Sequence, residues 1–429
     1  MNEFLLKFIT VFKDQTLRKR LTFTILALIG FRLLAAIPIP GVDSISLARL
    51  LSSSQLFGFL NIFSGGGLSN LSIVMIGVGP FITSSIIIQL LTMILPKWKA
   101  LMHDEGEAGR LKLSKYSRWI TPPLAILQAI GFIILLQSQG ILPQMTFIQM
   151  AVNVIVVSAG SMLLMWIGEL ISEFGIGNGV SLIIFAGIVS RLPTSIAQTY
   201  TKFASGGTGD LPFYIAILIV AVVAVAGVVY ITEAERSVPV TYAKQVRGNK
   251  VYGGASTYIP LRLNQSGVIP IIFALSILLI PQVIFTTLSK LVSHPLIASY
   301  SGILAGLLLN PWFHGVIYFI LIVLFTYFYT AVTFDPQMIS ENLQRSGAFI
   351  PGVRPGEHTR DHLGNIVTRI TLVGAVFLGV IAILPLLIQG LSPTGDQSVA
   401  VGGTSLLIVV SVVLDLLKKI DAQVAMREY

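Results

Sequence analysis

The sequence predicts an all-α polytopic membrane protein of ten transmembrane helices, arranged as two pseudo-symmetric five-helix halves with a re-entrant element. Three observations predict it. Of 429 residues, 54% are hydrophobic and 11% charged, less than half the roughly 25% charged residues of a soluble domain. The apolar residues gather at 21–40, 71–95, 119–137, 149–171, 179–193, 211–232, 266–289, 312–334, 366–389 and 401–417, most of these stretches being near the ~20 residues that cross a bilayer. Finally, 23 of the 28 Lys and Arg fall in the N-terminal segment, the even-numbered connections and the tail, against four in the odd-numbered connections. Basic residues collect on the cytoplasmic side, so both termini are expected inside. The net charge of +9 is then mostly a topology signal, although basic loops remain free to bind partners.

Residues 1–20 set Phe4, Leu5, Phe8, Ile9 and Phe12 against Lys7, Lys13 and Arg18. This amphipathic segment has no small-residue cleavage site before the first span, unlike a signal peptide, and is expected to lie on the cytoplasmic membrane surface. Span one contains Arg32, which either snorkels outward or satisfies carbonyls near Pro38 and Pro40. Residues 50–96 then carry no Asp, Glu, Lys or Arg, too long a run for one span, and NIFSGGG at 61–67 interrupts it with helix-breaking glycines. The piece at 55–63 is too short to cross. It is either a re-entrant element, allowed where it is buried in protein or lines a cavity, or an external amphipathic loop.

Spans two and seven bear polar groups on selected faces, with Thr83, Ser84, Ser85, Gln89 and Thr92 on one and Asn264, Gln265 and Ser266 opening the other. Such groups ordinarily bind helices together. Ten spans divide into halves at 21–194 and 195–429. Because five is odd, duplicated halves would insert in opposite senses, although no internal sequence repeat is visible. The longest inner connections, 233–264 and 335–365, are rich in turn residues and suggest structured arms.

Catalytic chemistry finds no support. The absence of Cys excludes disulfides, thiolate catalysis and Cys-ligated metals. Only His358 and His362, beside Glu357 and Asp361, approach metal-ligand spacing, without a further ligand pattern. GIGNG at 175–179 follows no strand, so it fails as a dinucleotide fingerprint, and no phosphate-binding loop exists. No cofactor or metal is expected. Proton-coupled carriers need carboxylates inside the membrane, whereas Glu169, Glu173 and Asp415 lie near span ends. A conduit fits better than a proton-driven carrier, and sodium coupling through neutral oxygens stays open.

Long strings resemble one family. They are IPIPGV (37–42), LNIFSGGGLSNLSIVMIGVGPFITSSIIIQLL (60–91), EGEAGRLKLSKYSR (105–118), GIGNGVSLIIFAGIV (175–189), AERSVPVTYAKQVRGNKVYGGASTYIPLRLNQSGVIPIIFA (234–274), TYFYTAVTFDPQMISENLQRSGAFIPGVRPGE (326–357) and GGTSLLIVV (402–410). From the first span to the last, the chain resembles the SecY family, the central subunits of the bacterial protein-conducting channel. The resemblance implies a plasma-membrane channel that passes unfolded polypeptides across the membrane or sideways into it, and performs no bond chemistry. It implies a plug near 55–70, including Phe63, Ser64, Gly65, Gly66 and Gly67, and a constricting ring of Ile82, Ile86, Ile184, Ile188, Ile272 and Ile408. It implies a lateral gate carrying Ser84, Ser85, Gln89, Gln128 and Asn264, and docking through Arg247, Lys250 and Arg354. Asn249 stands where many relatives carry a second adjacent basic residue, which weakens the role of the Asn249–Lys250 pair. The implied partners are SecE-like and SecG-like small membrane subunits, the SecA ATPase or a translating ribosome, signal sequences and unfolded secretory chains.

Overall fold

The computed structural model of the protein describes residues 14–39, 64–98, 105–138, 145–190, 211–242, 245–247, 250–252, 256–291, 295–391 and 397–428, with a few scattered positions between them. The first helix, α1 (Gln15–Ala35), starts where the Asp14 carboxylate accepts the backbone N–H groups of Thr16 and Leu17. It is followed by α2 (Gly79–Ile94), α3 (Glu107–Ser138), α4 (Phe147–Phe174), α5 (Gly179–Val189) and α6 (Leu211–Glu233). Side-chain caps explain several of the starts. A reciprocal Thr146–Gln149 box opens α4, and the Asn178 side chain accepts from Val180 and Ser181 to open α5. Beyond α6 come α7 (Ile269–Leu291), α8 (Pro295–Leu309), α9 (Pro311–Thr333), α10 (Pro336–Arg345), α11 (Glu357–Leu391) and α12 (Gln397–Glu428). Asn310 and Asp335 cap α9 and α10, each with a proline in the first turn.

Each of the ten apolar stretches contains a helix, and the chain is a multi-pass membrane protein. Among the described residues four segments are long and apolar enough to cross a bilayer by length and composition: Leu111–Gln137, Phe147–Phe174, Trp312–Arg345 and Glu357–Leu384. Two sequence expectations are corrected. Residues 71–78, apolar throughout, are not helical. Leu71 (φ 41°) and Gly77 (φ 66°) hold left-handed conformations that an α-helix cannot contain. The segment instead pairs with the end of α1, Ile39 N–H donating to Leu71 and Ile73 N–H to Ile37. Residues 295–309, assigned from the sequence to an outer connection, form the apolar helix α8.

Strands are a third correction, since the sequence led to an all-α expectation. The two long loops at 233–264 and 335–365 fold together. Strand β1 (Glu235–Tyr242) pairs antiparallel with β4 (Ser256–Arg262), and its last residues pair with β5 (Ala348–Phe349), while β2 (Gln245–Arg247) and β3 (Lys250–Tyr252) form a hairpin between them. Alternation puts Val238 and Val240 on one face of β1. There they share a core with Leu261, Ala348 and Ile350 and with Leu363, Ile366, Val367 and Ile370 from the first turns of α11. The two arms inferred from sequence are therefore one unit with a core of its own.

In the helical body α4 packs on α1, α2, α3 and α5, while α11 packs on α6, α9 and α12. Between these sets, α7 touches α2 and α3, and α12 touches α5. A single large apolar cluster runs through both sets.

Candidate functional site

The helices that meet across the two sets carry the six isoleucines. Ile82 and Ile86 lie one turn apart on α2, Ile184 and Ile188 one turn apart on α5, Ile272 sits in the first turn of α7, and Ile408 is on α12. All six are at most 5% exposed and belong to the same apolar cluster. A constriction lined in this way offers water and ions no hydrogen-bonding partner and closes by dewetting.

Against this cluster sits the glycine run. Ser64, Gly65, Gly66 and Gly67 are buried, with Gly65 (φ 61°) and Gly66 (φ 85°) in the left-handed region that favours glycine. The Ser64 hydroxyl accepts Leu68 N–H at 3.0 Å, and the Ser72 hydroxyl donates to the Gly67 carbonyl at 2.9 Å, closing a short 3-10 helix at Gly67–Asn70. A Cβ on Gly65 would fall 2.4 Å from the Phe31 ring. Arg32 Nη1 donates to the Gly65 carbonyl at 3.2 Å, so a carbonyl that Arg32 satisfies belongs to the glycine run; Pro40 lies outside the described residues. Phe63 and the rest of 55–63 lie outside the described residues.

The polar groups assigned to the gate bond locally. Ser84 Oγ lies 2.9 Å from both Ser117 Oγ and Thr121 Oγ1 of α3, a buried hydroxyl trio, and Gln89 Nε2 donates to Ser85 on its own helix. Asn264 Nδ2 donates to the Gly267 carbonyl and Asn264 Oδ1 accepts from Ser266, which shapes the turn into α7. Gln128 is half-buried on α3. The contacts of α7 with α2 and α3 therefore owe nothing to these hydrogen bonds.

Arg247 and Lys250 are paired positions of the β2–β3 hairpin. Arg354 is exposed on the loop between β5 and α11. That loop is held at its base, Thr359 Oγ1 donating to the Arg354 carbonyl at 2.9 Å and Ser340 Oγ to the Gly356 carbonyl at 2.6 Å. Gly352 and Gly356 supply the positive φ values its turns need.

Two sequence features find structural roles. GIGNG is a packing turn: a Cβ on Gly179 would lie 1.9 Å from the Gly168 carbonyl oxygen, so glycine lets α4 and α5 close on each other. Glu169 forms an ion pair with Arg118 of α3, and Asp415 with Lys419 one turn on. Among the described residues no group of three or more His, Asp and Glu side chains converges.

Fold and site define a polytopic membrane protein whose helix sets meet at a buried apolar cluster. A protein-family model described as SecY matches residues 72–417. The protein translocase subunit SecY of Corynebacterium glutamicum is 40% identical over 439 residues, spanning 98% of each chain. Its counterpart in Thermotoga maritima is 40% identical over 433 residues, spanning 98% of this chain and 96% of its own. The chain belongs to the SecY family. The fold is also similar to a solved protein-conducting channel (TM-score 0.69, 20% identity, 96% of this chain and 93% of that one). A similar likeness holds for Sec61 in the canine ribosome–channel complex (TM-score 0.66, 19% identity, 96% and 93%).

Proposed function

We infer that this chain is the channel subunit of a protein translocase, passing unfolded polypeptides across the membrane and performing no bond chemistry of its own. Family membership over nearly the whole chain supports the channel, and one observation carries the mechanism. Six isoleucines from two sets of helices are buried in one cluster beneath a glycine-rich segment. In the proposed mechanism α1–α5 and α6–α12 form two halves, within a ten-span plan with both termini cytoplasmic in the plasma membrane of a bacterium. The isoleucines form the resting constriction, and the segment around residues 64–67 belongs to a plug that seats against it. A polypeptide separates the halves and threads between the isoleucines, which hold it by no specific bond. The seam of α7 with α2 and α3 is the sideways exit for apolar segments such as signal sequences. Gln128 and Asn264 flank that seam, Ser85 and Gln89 shape its α2 side, and Ser84 braces α2 against α3 behind it.

The strand-containing inner unit is proposed as the docking platform for a SecA-like ATPase or a translating ribosome, with Arg247, Lys250 and Arg354 as its cationic contacts. SecE-like and SecG-like subunits would accompany the chain in the bilayer. The test is reconstitution in liposomes with the small subunits and the ATPase. Protease-protected, ATP-dependent accumulation of an unfolded precursor is the expected result. Failure of accumulation with every subunit present overturns the reading.

A further inference from the structure

A charged side chain, Arg32, lies within the first apolar stretch. Arg32 sits in the last turn of α1 and donates through Nη1 to the carbonyl of Gly65, 33 positions along the chain. The same nitrogen would lie 3.2 Å from a Cβ on Gly66, so the guanidinium rests directly on the glycine backbone. Gly187 of α5 meets Gly65 itself, backbone to backbone. Phe31, next to Arg32, sets its ring edge against Gly65. Phe31 and Arg32 of α1 and Gly187 of α5 thus all bear on the glycine run, with Gly187 within one turn of Ile184 and Ile188.

We propose that Arg32 is a positioning residue for the closed channel, holding the base of the plug in its seat through the Gly65 carbonyl. This rests on the reading of residues 64–67 as part of a seal. A charged donor suits the task. Gly65 and Gly66 have no side chains of their own to anchor and hold left-handed conformations, so only their backbone groups are available to a latch. An arginine placed at the C-terminal end of a helix also complements the helix dipole. Dipole complementation alone, however, asks for no contact with the glycine run. The bond uses one donor and is not a bidentate clamp, so a lysine ammonium can replace it in part, in contrast to sites that need the planar fork.

The test uses the full-length chain purified with its small subunits in liposomes, with potassium efflux of the idle channel read per folded channel. Arg32→Met should raise idle efflux about tenfold, the loss of one hydrogen bond to a charged group, while Arg32→Lys restores much of the seal. Gly65→Val is the control. Its side chain collides with Phe31 and is strained at positive φ, so it should unseat the segment whatever Arg32 does. If Gly65→Val leaks and Arg32→Met does not, the seal stands and the role of Arg32 is overturned. If both are as tight as the unaltered channel, residues 64–67 are not a seal and both readings fall. If Arg32→Met lowers only the thermal midpoint, with efflux per folded channel unchanged, Arg32 serves α1 alone and the proposal is overturned.

Discussion

Gly65 and Gly187 meet backbone to backbone: a Cβ on Gly187 would lie 2.1 Å from the Gly65 Cα and 2.5 Å from its carbonyl oxygen. No side-chain rotation relieves such a contact, so one backbone has to move. Gly187→Ala should cost about 1–3 kcal/mol, as overpacking in a tight interior does. It should lower the thermal midpoint and make residues 64–67 more accessible to protease. Gly302→Ala in α8 is the matched control, because a Cβ there meets nothing within 4 Å. At that site the better helix propensity of alanine should leave stability unchanged or raise it by up to about 1 kcal/mol. Equal effects at the two positions would contradict the close crossing.

The hydroxyl trio makes a prediction about the sideways exit. Ser84 bonds to Ser117 and Thr121 of α3, so it fastens α2 to its neighbour and not across the seam to α7. Ser84→Ala should lower stability by about 1 kcal/mol. The hydrophobicity that a segment needs to leave into lipid should stay unchanged, measured with a series of test segments of graded hydropathy. A shifted threshold would place Ser84 on the seam after all.

How far the fold was legible depends on where the sequence signal is local. Apolar runs between charged loops mark the helices of the body except α8, because the bilayer imposes their length and their composition; α8, at 15 residues, is shorter than a span. Residues 71–78 misled because hydropathy does not register φ, and Leu71 and Gly77 break the helix through conformation alone. The inner sheet was legible in part. Val238 and Val240 alternate as a half-buried strand should, but Pro239 between them argues against a central strand. The structure resolves the conflict: β1 meets β5 only at Thr241 and Tyr242, so at Pro239 it has a neighbour on one side only, Tyr258 of β4. The partner β5 lies more than a hundred positions away, beyond any local pattern. The six isoleucines carried no signal of their own, since isoleucine is ordinary in a membrane helix. Resemblance pointed to them, and packing brought them together. The Arg32–Gly65 bond was half legible, a charge in a span needing a carbonyl whose identity only the fold supplies.

The shared core of the strand-containing unit gives a third prediction. Val240 is 1% exposed between β1, β5 and α11. Burying an unpaired carboxylate there costs several kcal/mol, so Val240→Asp should unfold the platform. Because one core serves both loops, limited proteolysis should nick residues 235–262 and 346–357 together, while the membrane-embedded helices stay protected. Arg354→Glu should leave the same digestion pattern untouched and abolish partner-driven transport. Nicking in only one of the two loops would show that they fold independently.

The constriction itself gives the last prediction. Ile408 is 1% exposed in the cluster that also holds Ile82, Ile86, Ile184, Ile188 and Ile272. Replacing it with asparagine puts an amide among side chains that offer it no partner. Burying such a group unsatisfied costs about 1–3 kcal/mol on protein scales. The closed state bears that cost in full, whereas in an open, hydrated pore water satisfies the amide. The equilibrium therefore shifts toward opening by up to the same amount, on the order of tenfold for each 1.4 kcal/mol. Ile408→Asn should raise idle conductance and pass precursors whose signal sequences are defective, since less of their binding energy is needed to part the halves. Ile408→Val, which removes one methyl group and adds no polarity, should change conductance little. Single-channel recording and transport of a defective precursor read the two effects separately. If Ile408→Asn matches the unaltered channel in both, Ile408 does not line the constriction.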